Sequence, residues 1–256
     1  MSEDSVRDLQ LAVRLRALTK RVFDVSAQRR ERNRRPPDIL SMLIEAHEGT
    51  GQPMNDKAVI DEVMTLIVAG HETTASTPNW VWYLLSENAT VESRLHAEVD
   101  ALSNEISTFD DLPKLIYTKQ GIDETLHLYS PVWLFTRRGV SEDHIGCYYV
   151  AQQKDIIIVL YFVHRRPEFW EAAAAPRGAH LVQEASQGCQ KFAYSRFRWN
   201  IGVGLASFFA MVEMQSHLST VARGLRLRFV PERAVELEPH ISLRSKHNLQ
   251  MIAERR

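Results

Sequence analysis

Cysteine is scarce in this chain, with Cys147 and Cys189 the two present in 256 residues. Two thiols so far apart make neither a metal-like C-x-x-C cluster nor a disulfide framework, so free thiols in a reducing, cytoplasmic setting are expected. An excess of one charge is missing as well. Lys and Arg number 31 against 32 Asp and Glu, a net charge of −1, which leaves no basic surplus to drive counterion release from nucleic acid or to hold an anionic membrane surface. No uninterrupted apolar run reaches the length a bilayer needs. The opening residues Met1 to Arg7 are charged and carry no apolar centre, so neither a signal peptide nor a membrane anchor is expected. Internal repeats, low-complexity stretches and a clear linker are also lacking, which favours one domain over residues 1–256.

What is present reads as an ordinary globular composition, 45% hydrophobic and 25% charged. Leu9, Val13, Leu15, Leu18 and Val22 recur at helical spacing among arginines over about 5–33. Arg34-Arg35-Pro36-Pro37 interrupts that run, and Asp38 is placed to cap a short helix carrying Ile39, Leu40, Met42 and Leu43. A long helix starts at Asn55 or Asp56, with Val59, Val63, Leu66, Ile67 and Gly70 expected to face inward and Pro78 expected to bend it. Further helices are expected over 88–103, 112–129 and 201–222. Short strands are expected at 132–136, 145–150 and 155–159, with 225–230 and 249–253 as a terminal pair. The fold class is therefore mainly α with a small β-sheet.

Several motifs occur in a fixed order along the chain. They are Ala69-Gly70-His71-Glu72-Thr73-Thr74, Phe109-Asp110-Asp111-Leu112-Pro113, Glu124-Thr125-Leu126-His127, Trp133-Leu134-Phe135-Thr136-Arg137-Arg138, His164-Arg165-Arg166-Pro167-Glu168-Phe169-Trp170, and Arg198-Trp199-Asn200-Ile201-Gly202 ahead of an amphipathic helix. In this order they resemble the cytochrome P450 superfamily over most of the chain. The resemblance implies the C-terminal portion of the P450 fold, without the N-terminal helices by which longer family members contact substrate. It also places Glu72 and Thr73 in the oxygen-activating segment of the central helix. Arg137 or Arg138, together with Arg198, falls where the family meets haem propionates.

Against that pattern, Asn200 stands where the family has its haem-ligating cysteine, and an amide cannot supply the thiolate that drives O–O cleavage. Ala193 and Arg196 replace the loop's phenylalanine and glycine. His127 and His180 replace the two arginines that share a network with Glu124, and imidazoles lack the rigid five-donor fork. That carboxylate with two histidines reads as a residual structural hydrogen bond, a pH-sensitive cluster or a metal site. Ala151-Gln152-Gln153-Lys154 replaces the usual P-x-G-T turn. Together these changes imply release from haem.

The expected function is therefore non-redox chemistry on an apolar, isoprenoid or terpene-like molecule, a lyase or cyclase activity of specialised metabolism. Glu72 and Thr73 would handle protons, since general acid–base work needs a positioned carboxylate and a hydroxyl but no iron. Arg138 and Arg198 would hold an anionic group by guanidinium pairing, beside Trp133, Phe135, Trp199 and Asn200 in an aromatic-lined pocket. No haem is expected, and Mg²⁺ only if the substrate is a diphosphate, although Asp110-Asp111-Leu112-Pro113-Lys114 is not a full D-D-x-x-D motif. Two other readings stay open. One is an accessory protein that activates a partner enzyme or forms a homodimer. The other is a degenerate monooxygenase, or a haemoprotein with a non-thiolate ligand such as His71 or His127.

Overall fold

The structure is a computed structural model, and it describes residues 3–31, 36–49, 55–102, 108–169, 205–230 and 234–256. The chain is mainly helical with small sheets. It groups into two compact units, residues 1–71 and 72–256.

The first unit holds α1 (Glu3–Glu31), α2 (Ile39–Gly49) and the first part of α3 (Asp56–Glu87). Both later helices begin with side-chain caps. The Ser41 amide donates to Asp38 Oδ1 at 2.9 Å, and the Ala58 amide donates to Asn55 Oδ1 at 2.8 Å, so each cap satisfies an otherwise orphaned N–H. The Ser41 amide is also the main reason the Asp38 carboxyl is held below its ordinary range. Val22, Ile44 and Val59 are buried. Val13 and Leu15 are exposed, as are Leu66 and Ile67 of α3, so helical spacing located these helices but not their buried faces.

The second unit is built on the rest of α3, α4 (Ala89–Asp100), a 3₁₀ helix (Phe109–Lys114), α5 (Ile116–Leu128) and α7 (Leu205–Gly224). Its main core gathers Val81, Trp82 and Leu85 of α3, Leu95 and Val99 of α4, Ile122 and Leu126 of α5, and Met214 and Leu218 of α7. A second cluster centres on Trp80, Tyr83 and Tyr129. Four consecutive buried residues, Trp80 to Tyr83, mark a helix turn apolar on every side, which is stable only when surrounded. Pro78 lies within α3, and the helix continues past it.

A continuous helix from Leu112 is expected from the sequence, but the chain makes the 3₁₀ turn, passes Leu115 at φ −82° and ψ 57°, and restarts at Ile116. The cause is side-chain competition for the backbone. Asp111 accepts from the Thr108 amide and hydroxyl at 3.0 and 2.8 Å. Glu98 on α4 accepts from the Tyr117 and Thr118 amides at 2.5 and 2.8 Å, placing a carboxylate on the N-terminus of α5 where the helix dipole favours it.

Among the described residues of this unit there are also four two-stranded antiparallel ladders. β1 (Leu134–Arg138) pairs with β4 (Asp155–Val159), enclosing the hairpin of β2 (Asp143–Ile145) and β3 (Tyr148–Val150). One strand over 145–150 is expected from the β-branched and aromatic run. Gly146, at φ +60°, instead turns the chain back on itself, a conformation glycine adopts without a Cβ penalty. α6 (Leu160–Val163) follows β4. β5 (Leu225–Phe229) pairs with β8 (Met251–Arg255), and β6 (Leu237–Pro239) with β7 (Leu243–Ser245).

Candidate functional site

α3 brings Glu72 and Thr73 to the second unit half-buried. The Ser242 hydroxyl, on a residue only 2% exposed in the β6–β7 turn, donates to Glu72 Oε1 at 2.6 Å. One helical turn later, the Ser76 hydroxyl donates to the Leu243 carbonyl at 3.2 Å. The Thr77 hydroxyl donates to the Thr73 carbonyl at 3.2 Å. The same β6–β7 turn is tied on its other side, since the Leu243 amide donates to Pro131 O at 2.9 Å and Trp133 Nε1 donates to His240 O at 2.9 Å. Glu72 and Trp133 are thus joined through one tight turn. Ser242 is the residue that sequence reasoning missed, because its contact spans 170 positions and no local pattern encodes it.

β1 sorts the remaining expected residues. Side chains alternate across a strand, so Phe135 and Arg137 share a face, and the Arg137 guanidinium lies 4.8 Å from the Phe135 ring centroid. Arg138 projects from the opposite face. There it makes two hydrogen bonds to Asp155, at 2.8 and 3.0 Å, which hold the Asp155 carboxyl below its ordinary range. The structure therefore does not bring Arg138 and Phe135 to one surface, as a shared ligand site would require. Arg198, Trp199 and Asn200 lie outside the described residues, as do Ala193, Arg196 and His180.

At the Glu124 position, His127 Nδ1 stands 3.6 Å from Glu124 Oε2. Its ring meets His164 at 5.1 Å between centroids, and His164 Nδ1 donates to the His127 carbonyl at 3.0 Å. A histidine from the segment after α6 was not anticipated here. Among the described residues, no group of three or more His, Cys, Asp or Glu is arranged to hold a metal ion. Asp111, one of the paired acids, is buried and occupied by Thr108 and by Lys114 at 2.8 Å, so the Asp110-Asp111 pair makes no open cation site.

A second polar cluster lies on α4. Glu92 is 1% exposed and His96 4% exposed, one turn apart, with Glu92 Oε1 3.8 Å from His96 Nε2. Arg226 and Arg228 of β5 each reach Glu92 Oε2 at 3.3 Å, and Arg256 pairs with Asp100 at 2.6 Å. Burial, reinforced by the fields of Arg256 and Arg226, pushes the His96 imidazole down to about 4. The i, i+4, i+8 spacing of Glu92, His96 and Asp100 is a signal the sequence carried. On α7, His217 Nε2 accepts from Trp82 Nε1 at 3.3 Å, and burial lowers its pKa.

A cavity of about 420 Å³ is lined by Phe229, Val235, Glu236, Lys246, His247 and Leu249 among others, and Glu72 is not part of its lining. No helix among the described residues is long and apolar enough to cross a membrane.

Comparison with known proteins bears on the family and the fold. Residues 7–251 match the family described as Cytochrome P450. The chain is similar to cyclooctatin synthase of Streptomyces melanosporofaciens, 34% identical over 221 residues that make up 86% of this chain and 48% of that protein. It is also similar to pentalenene oxygenase of Streptomyces avermitilis, 28% identical over 85% of this chain and 49% of that one. The chain thus spans about half the length of the curated relatives it matches. Among solved structures, the haem domain of cytochrome P450DA superposes with a TM-score of 0.87 at 20% identity, covering 100% of this chain and 57% of that one, a likeness of fold.

Proposed function

The chain belongs to the cytochrome P450 family, and from that premise we propose that it carries out haem-independent, non-redox chemistry on an apolar molecule of isoprenoid or terpene type, with Glu72 and Thr73 as the proton-handling pair. The observation that carries this reading is the Glu72 carboxylate, half-buried on α3 with one oxygen engaged by Ser242. A positioned carboxylate beside a hydroxyl is what general acid–base catalysis requires.

On this reading haem lacks the ligand by which the family holds it. Asn200 stands at the ligand position of the family loop, and a neutral carboxamide offers no thiolate. Cys147, the cysteine among the described residues, is exposed on the β2–β3 turn. No step is therefore routed through haem. In the concrete version, an allylic diphosphate loses its diphosphate as the anion and the resulting cation closes onto an alkene of the same molecule. Glu72 then takes the proton that leaves, giving a cyclic hydrocarbon plus diphosphate, with no oxidant or reductant consumed. Aromatic faces such as Trp133 and Phe135 stabilise such a cation. The diphosphate calls for cations, and Arg137, on the face of β1 shared with Phe135, and Arg198 are the arginines the reading assigns to it, with Mg²⁺ supplied by solution, whereas Arg138 is paired with Asp155 on the other face. The names of the relatives, built on cyclooctatin and on the alkene pentalenene, support an apolar substrate of this class.

The test combines a visible absorbance scan with product analysis. The purified protein is expected to show no Soret band and to convert a prenyl diphosphate, with Mg²⁺, into a hydrocarbon or alcohol. Any Soret band would overturn the haem-free reading, and one that shifts as a thiolate haem does when reduced and then exposed to carbon monoxide would point to a monooxygenase. Absence of product from prenyl diphosphates would remove the cyclase version.

A second reading, a non-catalytic accessory protein, is favoured by a different observation. Phe109, Phe208 and Phe209 are all exposed, and the first two meet edge to face at 6.2 Å, an apolar patch of the kind that marks partner surfaces. Sedimentation as a monomer together with failure to capture a partner enzyme would sink it.

A further inference from the structure

We infer that Ser242 is a positioning residue for Glu72, fixing Oε1 so that Oε2 is the oxygen presented to a ligand. The inference rests on the reading of Glu72 as the proton-handling group. A glutamate side chain has three rotatable bonds, and without a tie its carboxylate samples several rotamers. Here the Ser242 hydroxyl donates to Oε1 at 2.6 Å, within the range of a strong hydroxyl-to-carboxylate bond. Among the described residues, Ser242 is the hydrogen-bond partner of that carboxylate.

Ser242 is itself held, so it cannot follow Glu72 from one rotamer to another. Its carbonyl accepts from the His240 amide at 3.2 Å, and the neighbouring Leu243 amide donates to Pro131 O at 2.9 Å. Ser76, one turn along α3, grips the Leu243 carbonyl. Two residues on one helix face, Glu72 and Ser76, therefore hold two consecutive residues of the β6–β7 turn, Ser242 and Leu243. That double grip fixes both the rotation of α3 and the height of the turn. Among the described residues it leaves Glu72 with Oε1 anchored and Oε2 without a hydrogen bond, and a misplacement of about 1 Å at such a group is enough to cost roughly a hundredfold in rate.

Three variants of the full chain test this: Ser242→Ala, Ser242→Thr and Glu72→Gln. With geranylgeranyl diphosphate and Mg²⁺ as the probe, Ser242→Ala is expected to lower kcat about tenfold or more with KM within about twofold, and Ser242→Thr, which keeps the hydroxyl, to recover most of it. Independently of turnover, the Glu72 carboxyl ¹³C resonance, assigned by its loss in Glu72→Gln, is expected to move in Ser242→Ala and to stay near its original place in Ser242→Thr. If the unsubstituted chain is inactive, or Glu72→Gln is fully active, the proton-handling reading falls and the resonance alone decides the role of Ser242. An unmoved resonance in Ser242→Ala, or equal movement in both serine variants, overturns the positioning role.

Discussion

The indole of Trp80 lies flat on the phenol ring of Tyr129, with ring centroids 4.2 Å apart and planes within 5° of parallel. The stack joins the second half of α3 to the residue that closes α5, just before the segment leading to Trp133. Tyr83 meets Trp80 edge-on at 6.0 Å and Phe229 at 5.2 Å, so one aromatic column connects two helices to β5. Replacing Trp80 with alanine empties a site that is 1% exposed and is expected to lower stability by about 3–5 kcal/mol. The midpoint of urea unfolding, compared with that of Trp80→Phe, measures it.

Glu98 reaches from α4 to three donors at the start of α5, the Tyr117 and Thr118 amides and the Thr118 hydroxyl at 2.7 Å. Its loss leaves two helix-terminal N–H groups unpaired in a partly buried place. Glu98→Ala is expected to cost about 1–2 kcal/mol. Thermal unfolding followed by circular dichroism would show the drop, and faster amide exchange at Thr118 would locate it.

His96 makes stability depend on pH in a defined window. Its folded-state pKa of about 4 lies below its ordinary 6.5, so the unfolded chain binds the proton first. Stability therefore falls as pH drops from 6.5 towards 4 and changes no further on this account below that, a loss on the order of 3 kcal/mol in all. The neighbouring Arg226, Arg228 and Arg256 oppose an imidazolium, while Glu92 and Asp100 favour it. The Asp100 carboxyl is held below 3.8, chiefly by its hydrogen bond to Arg256, so its own titration falls at more acid pH. His96→Gln is expected to flatten the slope between pH 6.5 and 4 in chemical denaturation series. An unchanged slope would move the effect to another group.

Arg137 and Arg138 are expected to respond differently to substitution, because they stand on opposite faces of β1. Arg138→Ala removes an exposed ion pair with Asp155, and its effect on stability is expected to be negligible, because solvent screens such a pair. Arg137→Ala, on the face shared with Phe135, is expected to weaken binding of a prenyl diphosphate more than Arg138→Ala does. Calorimetric titration of both variants checks the order.

Much of the architecture was legible because it is periodic. The helix expected over 88–103 is α4, and Asn55 and Asp38 announced helix starts that the structure caps as expected. What stayed hidden depends on contacts that sequence distance conceals. Glu98 ends one helix problem 19 residues away, Gly146 folds an apparent single strand into a hairpin, and His164 meets His127 across 37 positions. In the candidate site the motif named Glu72 and Thr73, but Ser242 comes from the far end of the chain. Arg138 was separated from Phe135 by strand alternation, a rule the sequence already contained.

The pairing of Trp82 with His217 has an optical consequence. An indole N–H only donates, so the imidazole nitrogen facing it must be the unprotonated one. Charging His217 ends that bond and places a cation beside a buried fluorophore, where it quenches emission. Because the chain holds five tryptophans, the part of the emission that Trp82→Phe removes is the fluorescent gauge of the packing between α3 and α7, readable by comparing the two proteins in an acid titration without any label.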